Sequence, residues 1–191
     1  MRVVVAITGA TGAILGIRTL QRLQELQVET HLCISIWGQR TIEFETQFSV
    51  TEVRALATVN HGHGDQAASI SSGSFSHDGM IITPCSVRTL GAIAHGLCDN
   101  LISRAADVTL KERRRLVLVV RESPLNEMHL ENMLRVTRAG AVIVPPVPAF
   151  YNHPTGIDDL VSHIVARTLD QLGLDDPHAR RWKGGLQQQP L

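Results

Sequence analysis

An apolar run, Arg2 to Ile7, leads without a spacer into Thr8-Gly9-Ala10-Thr11-Gly12-Ala13, and helical periodicity begins at once. A strand that turns on glycines straight into a helix restricts the chain to folds in which that helix packs back on the sheet. Ile14, Ile17, Leu20, Leu23 and Leu26 supply the apolar stripe for that packing. The same rhythm continues downstream. Strands are expected at 2–8, 29–35, 79–83, 116–120 and 141–144, and helices at 12–26, 38–46, 50–57, 86–96, 100–113, 126–139 and 157–172. Strands alternating with helices give a doubly wound α/β domain whose mostly parallel sheet is covered on both faces.

With 191 residues, 43% of them hydrophobic, the chain suits one compact domain, expected over 1–172, and a polar tail over 173–191. The final GGLQQQPL reads as irregular. Eighteen basic and eighteen acidic side chains cancel, so no whole-molecule field favours nucleic acid and phosphate binding must come from local groups. Cys33, Cys85 and Cys98 form neither a paired framework nor a CxxC unit, which fits core thiols in a reducing compartment and no zinc site. His61 and His63, in the loop-like HGHGDQ, lack a nearby third ligand and read as solvated, so no metal is expected. MRVVVAITGA is too short an apolar stretch for a signal peptide, and no run approaches the ~20 residues that cross a bilayer. The expected location is the cytoplasm, with no membrane partner.

Four clusters carry chemistry. The GATGA turn offers backbone amides and the positive end of a helix to a phosphate, and Thr11 adds a hydroxyl. Its spacing is GxxGA, not GxGxxG, which suits a mononucleotide such as FMN better than a dinucleotide. The second cluster, Thr83-Pro84-Cys85-Ser86-Val87-Arg88-Thr89, follows a strand and should lie near the first loop, with Ser35 from a third strand end beside them. Ser86 is equally a helix cap. In the third, Arg113 to Arg115 read as a solvated face, whereas Arg121 and Glu122 stand at a strand end, an Arg for phosphate beside a Glu for proton transfer. Strand alternation would aim those two side chains to opposite sides, toward different ligands. The fourth, Val144-Pro145-Pro146-Val147-Pro148-Ala149-Phe150-Tyr151, is too rich in proline for a central strand; it forms a wall over the crevice or a subunit contact.

Taken in order, GATGA at 9–13, ISSGSF at 70–75, PCSVRTL at 84–90, RAADVTLKERRRLVLVVRESP at 104–124, HLENML at 129–134 and PPVPAFYNHP at 145–154 resemble the UbiX/Pad flavin prenyltransferases from the first strand to Trp182. The resemblance implies a Rossmann-like or flavodoxin-like αβα sandwich that binds FMN at subunit interfaces of a homo-oligomer, usually a dodecamer. It implies transfer of a dimethylallyl group from dimethylallyl phosphate to N5 and C6 of reduced FMN, without a metal. The prenylated FMN would serve a UbiD-type decarboxylase of aromatic or unsaturated acids. Matched by position, Gly9, Ala10, Thr11, Ser35, Ser86, Val87, Arg88, Thr89 and Arg121 correspond to FMN contacts. Lys111, Glu122, Tyr151 and Arg167 correspond to the catalytic pocket that holds the prenyl donor, with Arg104 nearby and Trp182 covering it.

Thr11 stands where many members have Ser, and Arg88 where Lys is usual; both keep the chemistry of the position. Trp37 and the YNHP ending lie closer to the branch that accompanies phenolic-acid decarboxylases, although Gly38 is unusual there. Two other functions compete. A flavin-dependent cysteine decarboxylase would carry a PxMNxxMW segment where this chain has PPVPAFY. A non-catalytic FMN-binding accessory subunit would have no need of Lys111, Glu122, Tyr151 and Arg167 together.

Overall fold

A computed structural model describes residues 1–182 and 184, so the expected irregularity of GGLQQQPL lies, Gly184 apart, outside the described residues. Seven helices and six strands are described: β1 (Arg2–Ile7), α1 (Ala13–Glu25), β2 (Glu29–Ile34), α2 (Ile36–Glu45), α3 (Val50–Ala55), β3 (Val59–His61), β4 (Gly79–Cys85), α4 (Val87–Ala94), α5 (Leu101–Lys111), β5 (Arg115–Val120), α6 (Glu127–Arg138), β6 (Val142–Ile143) and α7 (Ile157–Asp170). The strands form one sheet in the order β3-β2-β1-β4-β5-β6. Every pairing is parallel.

Alternation along the central strands sorts the core into two layers. Val3, Val5 and Ile7 of β1 face Ile17, Leu20 and Leu23 of α1 and Val165 and Leu169 of α7. Val4 and Ala6 face the opposite way, toward Leu90 of α4, Ile102 and Ala105 of α5 and Val136 of α6. Leu20 is fully buried, so Leu20→Ala costs about 2–5 kcal/mol through lost burial and the cavity left behind.

Two elements differ from the sequence expectation. β3 is an edge strand of three residues, pairing Val59 with His31 and His61 with Cys33, and a strand that short carries no readable alternation. It takes His61 out of the loop expected at 61–66. β4 continues to Cys85 and takes in Pro84, with a register shift between Ile82 and Cys85. At the far edge β6 stops after two residues, just before the proline-rich segment.

Candidate active site

Strand order reverses between β1 and β4, and in such sheets the crevice beyond the carboxyl ends at the reversal is where ligands bind. The sequence builds that edge with local hydrogen bonds. Thr8, 1% exposed, joins the two central loops: its amide donates to the Pro84 carbonyl at 3.2 Å and its hydroxyl at 2.8 Å, while the Ser86 amide donates to its oxygen at 2.8 Å. The Ser35 amide donates to Ile7 and the Arg121 amide to Cys85, at 3.0 and 3.1 Å. Four strand ends are therefore tied edge to edge.

They surround a cleft of about 630 Å³. Gly9, Ala10 and Thr11 line it from β1, Ser35 from β2, Ser86 to Thr89 from β4, and Arg121 with Glu122 from β5. Every residue matched to an FMN contact thus shares one wall system. Arg121 and Glu122 face the same cleft and do not diverge, because β5 ends at Val120 and strand alternation ends with it. Ser35 and Ser86 also cap helices: their hydroxyls accept from the amides of Gly38 at 2.9 Å and Thr89 at 3.3 Å. Capping and ligand contact are compatible, since a hydroxyl that accepts still carries a proton; that of Ser86 is shared with the Thr89 hydroxyl 3.1 Å away, so this pair offers one proton outward.

The end of α1 departs from the simple phosphate-loop picture. Gly12 takes a φ of 98°, which only glycine adopts without strain, and starts the helix without a side-chain cap of its own. The Glu45 carboxylate fills that role, accepting from the amides of Gly12 and Ala13 at 2.8 and 3.1 Å. Two of the amides expected for phosphate are therefore engaged, and the anion-binding capacity of the loop rests on Gly9 to Thr11. Sequence reasoning missed the cleft-lining places of Thr8, Ile36, Trp37, His63, Asn100 and Ile102, and the hold of Glu45 on the loop amides beside the cleft. Burial first, then Arg88, lowers the His63 pKa from the ordinary histidine value. Cys85, fully buried under the loop, has its thiol pushed up to about 12 by burial and stays a core group.

The remaining predicted residues lie elsewhere in the chain. Arg104 and Lys111 belong to α5 and face the 70–75 loop: Arg104 donates to the Ser71 carbonyl at 3.1 Å and to Asp107 at 3.0 Å, and Lys111 pairs with Glu112 beside Gly73. Neither lines the cleft. Tyr151, Arg167 and Trp182 gather in a second cavity of about 360 Å³ with His163, Arg180 and Arg181. The Tyr151 ring meets Trp182 and His163 edge-on at 5.6 and 5.7 Å. Burial and then Arg167 lower the His163 pKa, which keeps that imidazole neutral near pH 7, 3.4 Å from the Tyr151 hydroxyl.

A parallel sheet with hydroxyls, loop amides and guanidinium groups around the crevice at its reversal defines a mononucleotide-binding α/β protein. The family model described as Flavoprotein matches residues 1–169. A probable UbiX-like flavin prenyltransferase of Escherichia coli is 59% identical over 185 residues, covering 96% of this chain and 94% of that protein. The crystal structure of a dodecameric FMN-dependent UbiX-like decarboxylase from Escherichia coli O157:H7 superimposes with a TM-score of 0.95 at 58% identity, over 96% of this chain and all of that one. AnUbiX (PadA1), solved in complex with FMN and dimethylallyl pyrophosphate, gives 0.95 at 59% identity, over 96% and 98% of the two chains. The chain belongs to the Flavoprotein family and, within it, to the UbiX-like flavin prenyltransferases.

Proposed function

We propose that the chain transfers a dimethylallyl group from dimethylallyl phosphate to N5 and C6 of reduced FMN. The observation that carries this reading is the arrangement of Arg121 and Glu122 on one wall of the β1/β4 cleft, in a chain 59% identical to a flavin prenyltransferase over nearly its whole length. The cleft fits the flavin in size and in donor set: about 630 Å³, with hydroxyls at Thr11, Ser35, Ser86 and Thr89 and a guanidinium at Arg121. Reduced FMN supplies the nucleophilic ring positions. Gly9, Ala10, Thr11, Ser35, Ser86, Val87, Arg88 and Thr89 hold it, with Arg121 paired to its anionic groups. Glu122 accepts and returns a proton at the reacting ring. Lys111, Tyr151 and Arg167, with Arg104 near them, hold the donor phosphate and stabilise it as it leaves, while Trp182 excludes water.

The cleft and the Tyr151–Arg167–Trp182 cavity are separate within one chain, and we infer that copies of the chain complete each site between them. The dodecameric relative supports that assembly. The product serves a UbiD-type decarboxylase, and both work in the cytoplasm.

The test is anaerobic incubation of the purified protein with reduced FMN and dimethylallyl phosphate or pyrophosphate, followed by the mass of the released flavin. A prenylated flavin is expected. Tight FMN binding with an unchanged flavin mass for both donors would favour a carrier instead, and recovery of FAD as the tight ligand would contradict the mononucleotide site.

A further inference from the structure

The stretch after α7 is fastened to the domain at three points. Leu172 and Leu174 pack on the core, and Asp176, 3% exposed, faces Arg22 of α1 with 3.5 Å between Oδ2 and Nε. The third point lies beside the second cavity. Arg181 reaches back to α7 and donates from Nη1 and Nη2 to the two oxygens of Asp170 at 3.0 and 2.8 Å. The same carboxylate accepts from Nη1 of Arg167 at 2.5 Å, so it takes three hydrogen bonds from guanidinium groups on two separate segments. Trp182 follows Arg181 directly and meets the Tyr151 ring.

We propose that Asp170 is a positioning residue that sets Arg167 and the closing tail together, fixing one guanidinium toward the donor cavity and latching the other so that Trp182 packs on Tyr151. The proposal rests on the donor-side reading given above. Arg167 and Asp170 are three residues apart on one helix face, and His163 lies a further turn back on the same face. With Nη1 engaged, Nε and Nη2 of Arg167 have no hydrogen-bond partner among the described residues and present two donors to an anion. Arg181 holds the Asp170 carboxyl below the usual carboxylate range, so the latch stays charged at neutral pH. An exposed ion pair by itself contributes little; here the carboxylate is 14% exposed and shared between two arginines. Besides these three points, Nη2 of Arg181 donates to Asp175 within the tail at 2.6 Å, Arg180 pairs with Asp159 at 3.7 Å, and Nε2 of His178 lies 3.7 Å from Glu25.

Hydrogen exchange of residues 176–182 in full-length, FMN-loaded protein tests the latch, with FMN titration and the KM for dimethylallyl phosphate measured on the same samples. Arg181→Gln should exchange several-fold faster in that segment and raise the donor KM, with FMN affinity unchanged. Asp170→Asn should do both and raise KM further, because it also releases Arg167; Asp170→Glu should recover part of each effect. Unchanged exchange in Asp170→Asn and Arg181→Gln would overturn the latch, and faster exchange with an unchanged donor KM would overturn the positioning role. If Asp170→Asn does not fold, Arg181→Gln carries the same comparison. Absence of prenylated flavin from the wild-type protein would count against the enzymatic reading, and the exchange data would still decide the latch.

Discussion

The Thr8 hydroxyl donates to Pro84 and accepts from the Ser86 amide, both at 2.8 Å, and so holds the first and third βα loops in register. Removing that buried hydroxyl leaves the Ser86 amide without its partner and the Pro84 carbonyl with the Thr8 amide alone. Thr8→Val keeps the shape and should destabilise the protein by about 1–3 kcal/mol, read from urea unfolding. Flavin affinity should fall with it, because Ser86 to Thr89 lose their anchor. Thr8→Ser should restore both, and a Val variant with native flavin affinity would show that the loops are held by something else.

Glu122 and Arg167 are expected to separate chemistry from flavin binding. Glu122→Gln keeps size and removes the proton-accepting group, so turnover should drop ~100-fold to ~10,000-fold. Arg167→Ala should weaken donor binding by roughly 2 kcal/mol, about thirty-fold. FMN titration should change little in either. Because the two residues occupy separate cavities of one chain, mixing the two variants and reassembling them should recover part of the activity. If both variants lose FMN while donor use per bound flavin is unchanged, the division of roles is wrong.

Glu45 places a negative charge on the helix end next to the phosphate loop. Glu45→Gln keeps an acceptor for Gly12 and Ala13 but removes that charge. FMN should bind more tightly by about 0.3–1 kcal/mol at low ionic strength, and the gain should shrink as salt screens it. Titrations at two salt concentrations decide this, and equal or weaker binding at low salt would count against a loop-bound phosphate.

His77 is 5% exposed; its Nδ1 donates to the Gly79 carbonyl at 3.2 Å and its Nε2 has no partner among the described residues. Burial first, then Arg114, lowers its pKa below 6.5. The unfolded chain therefore binds the proton more tightly than the folded one, so stability is fully present above pH 6.5 and is lost as pH falls toward the folded value. His61, His63 and His163 shift the same way. Urea midpoints should hold between pH 8 and pH 7 and decline below about 6.5, by at most about 1.4 kcal/mol per pH unit for each histidine. A flat profile down to pH 5 would contradict the buried neutral state.

What the sequence made legible follows from range. The α1 stripe, the caps at Ser35 and Ser86 and the stop at Pro145 are decided by neighbours a few residues away, and the expected helices and most strand limits agree with the fold to within two residues. Contacts between distant residues have no local signature. Glu45 meets Gly12 across 33 positions and Thr8 meets Ser86 across 78, so neither pairing is readable from either segment alone. The site was legible through the resemblance at the flavin loops, which one sheet edge collects. Tyr151, Arg167 and Trp182 matched as part of the same pocket, but only the fold shows that one chain keeps them in a cavity of their own.

Gly9 and Gly38 sit on either side of Trp37 at the cleft rim. A Cβ on Gly9 would lie 2.3 Å from the Trp37 Cβ, and one on Gly38 would lie 2.5 Å from the Ile7 carbonyl oxygen, so both backbones are already in contact with what surrounds them. The glycine that looked out of place in its segment is what lets α2 start hard against the end of β1. The start of α2 is therefore set at main-chain distance with no slack, and a methyl group added at position 9 or at position 38 can be admitted only by moving that helix start away from the end of β1.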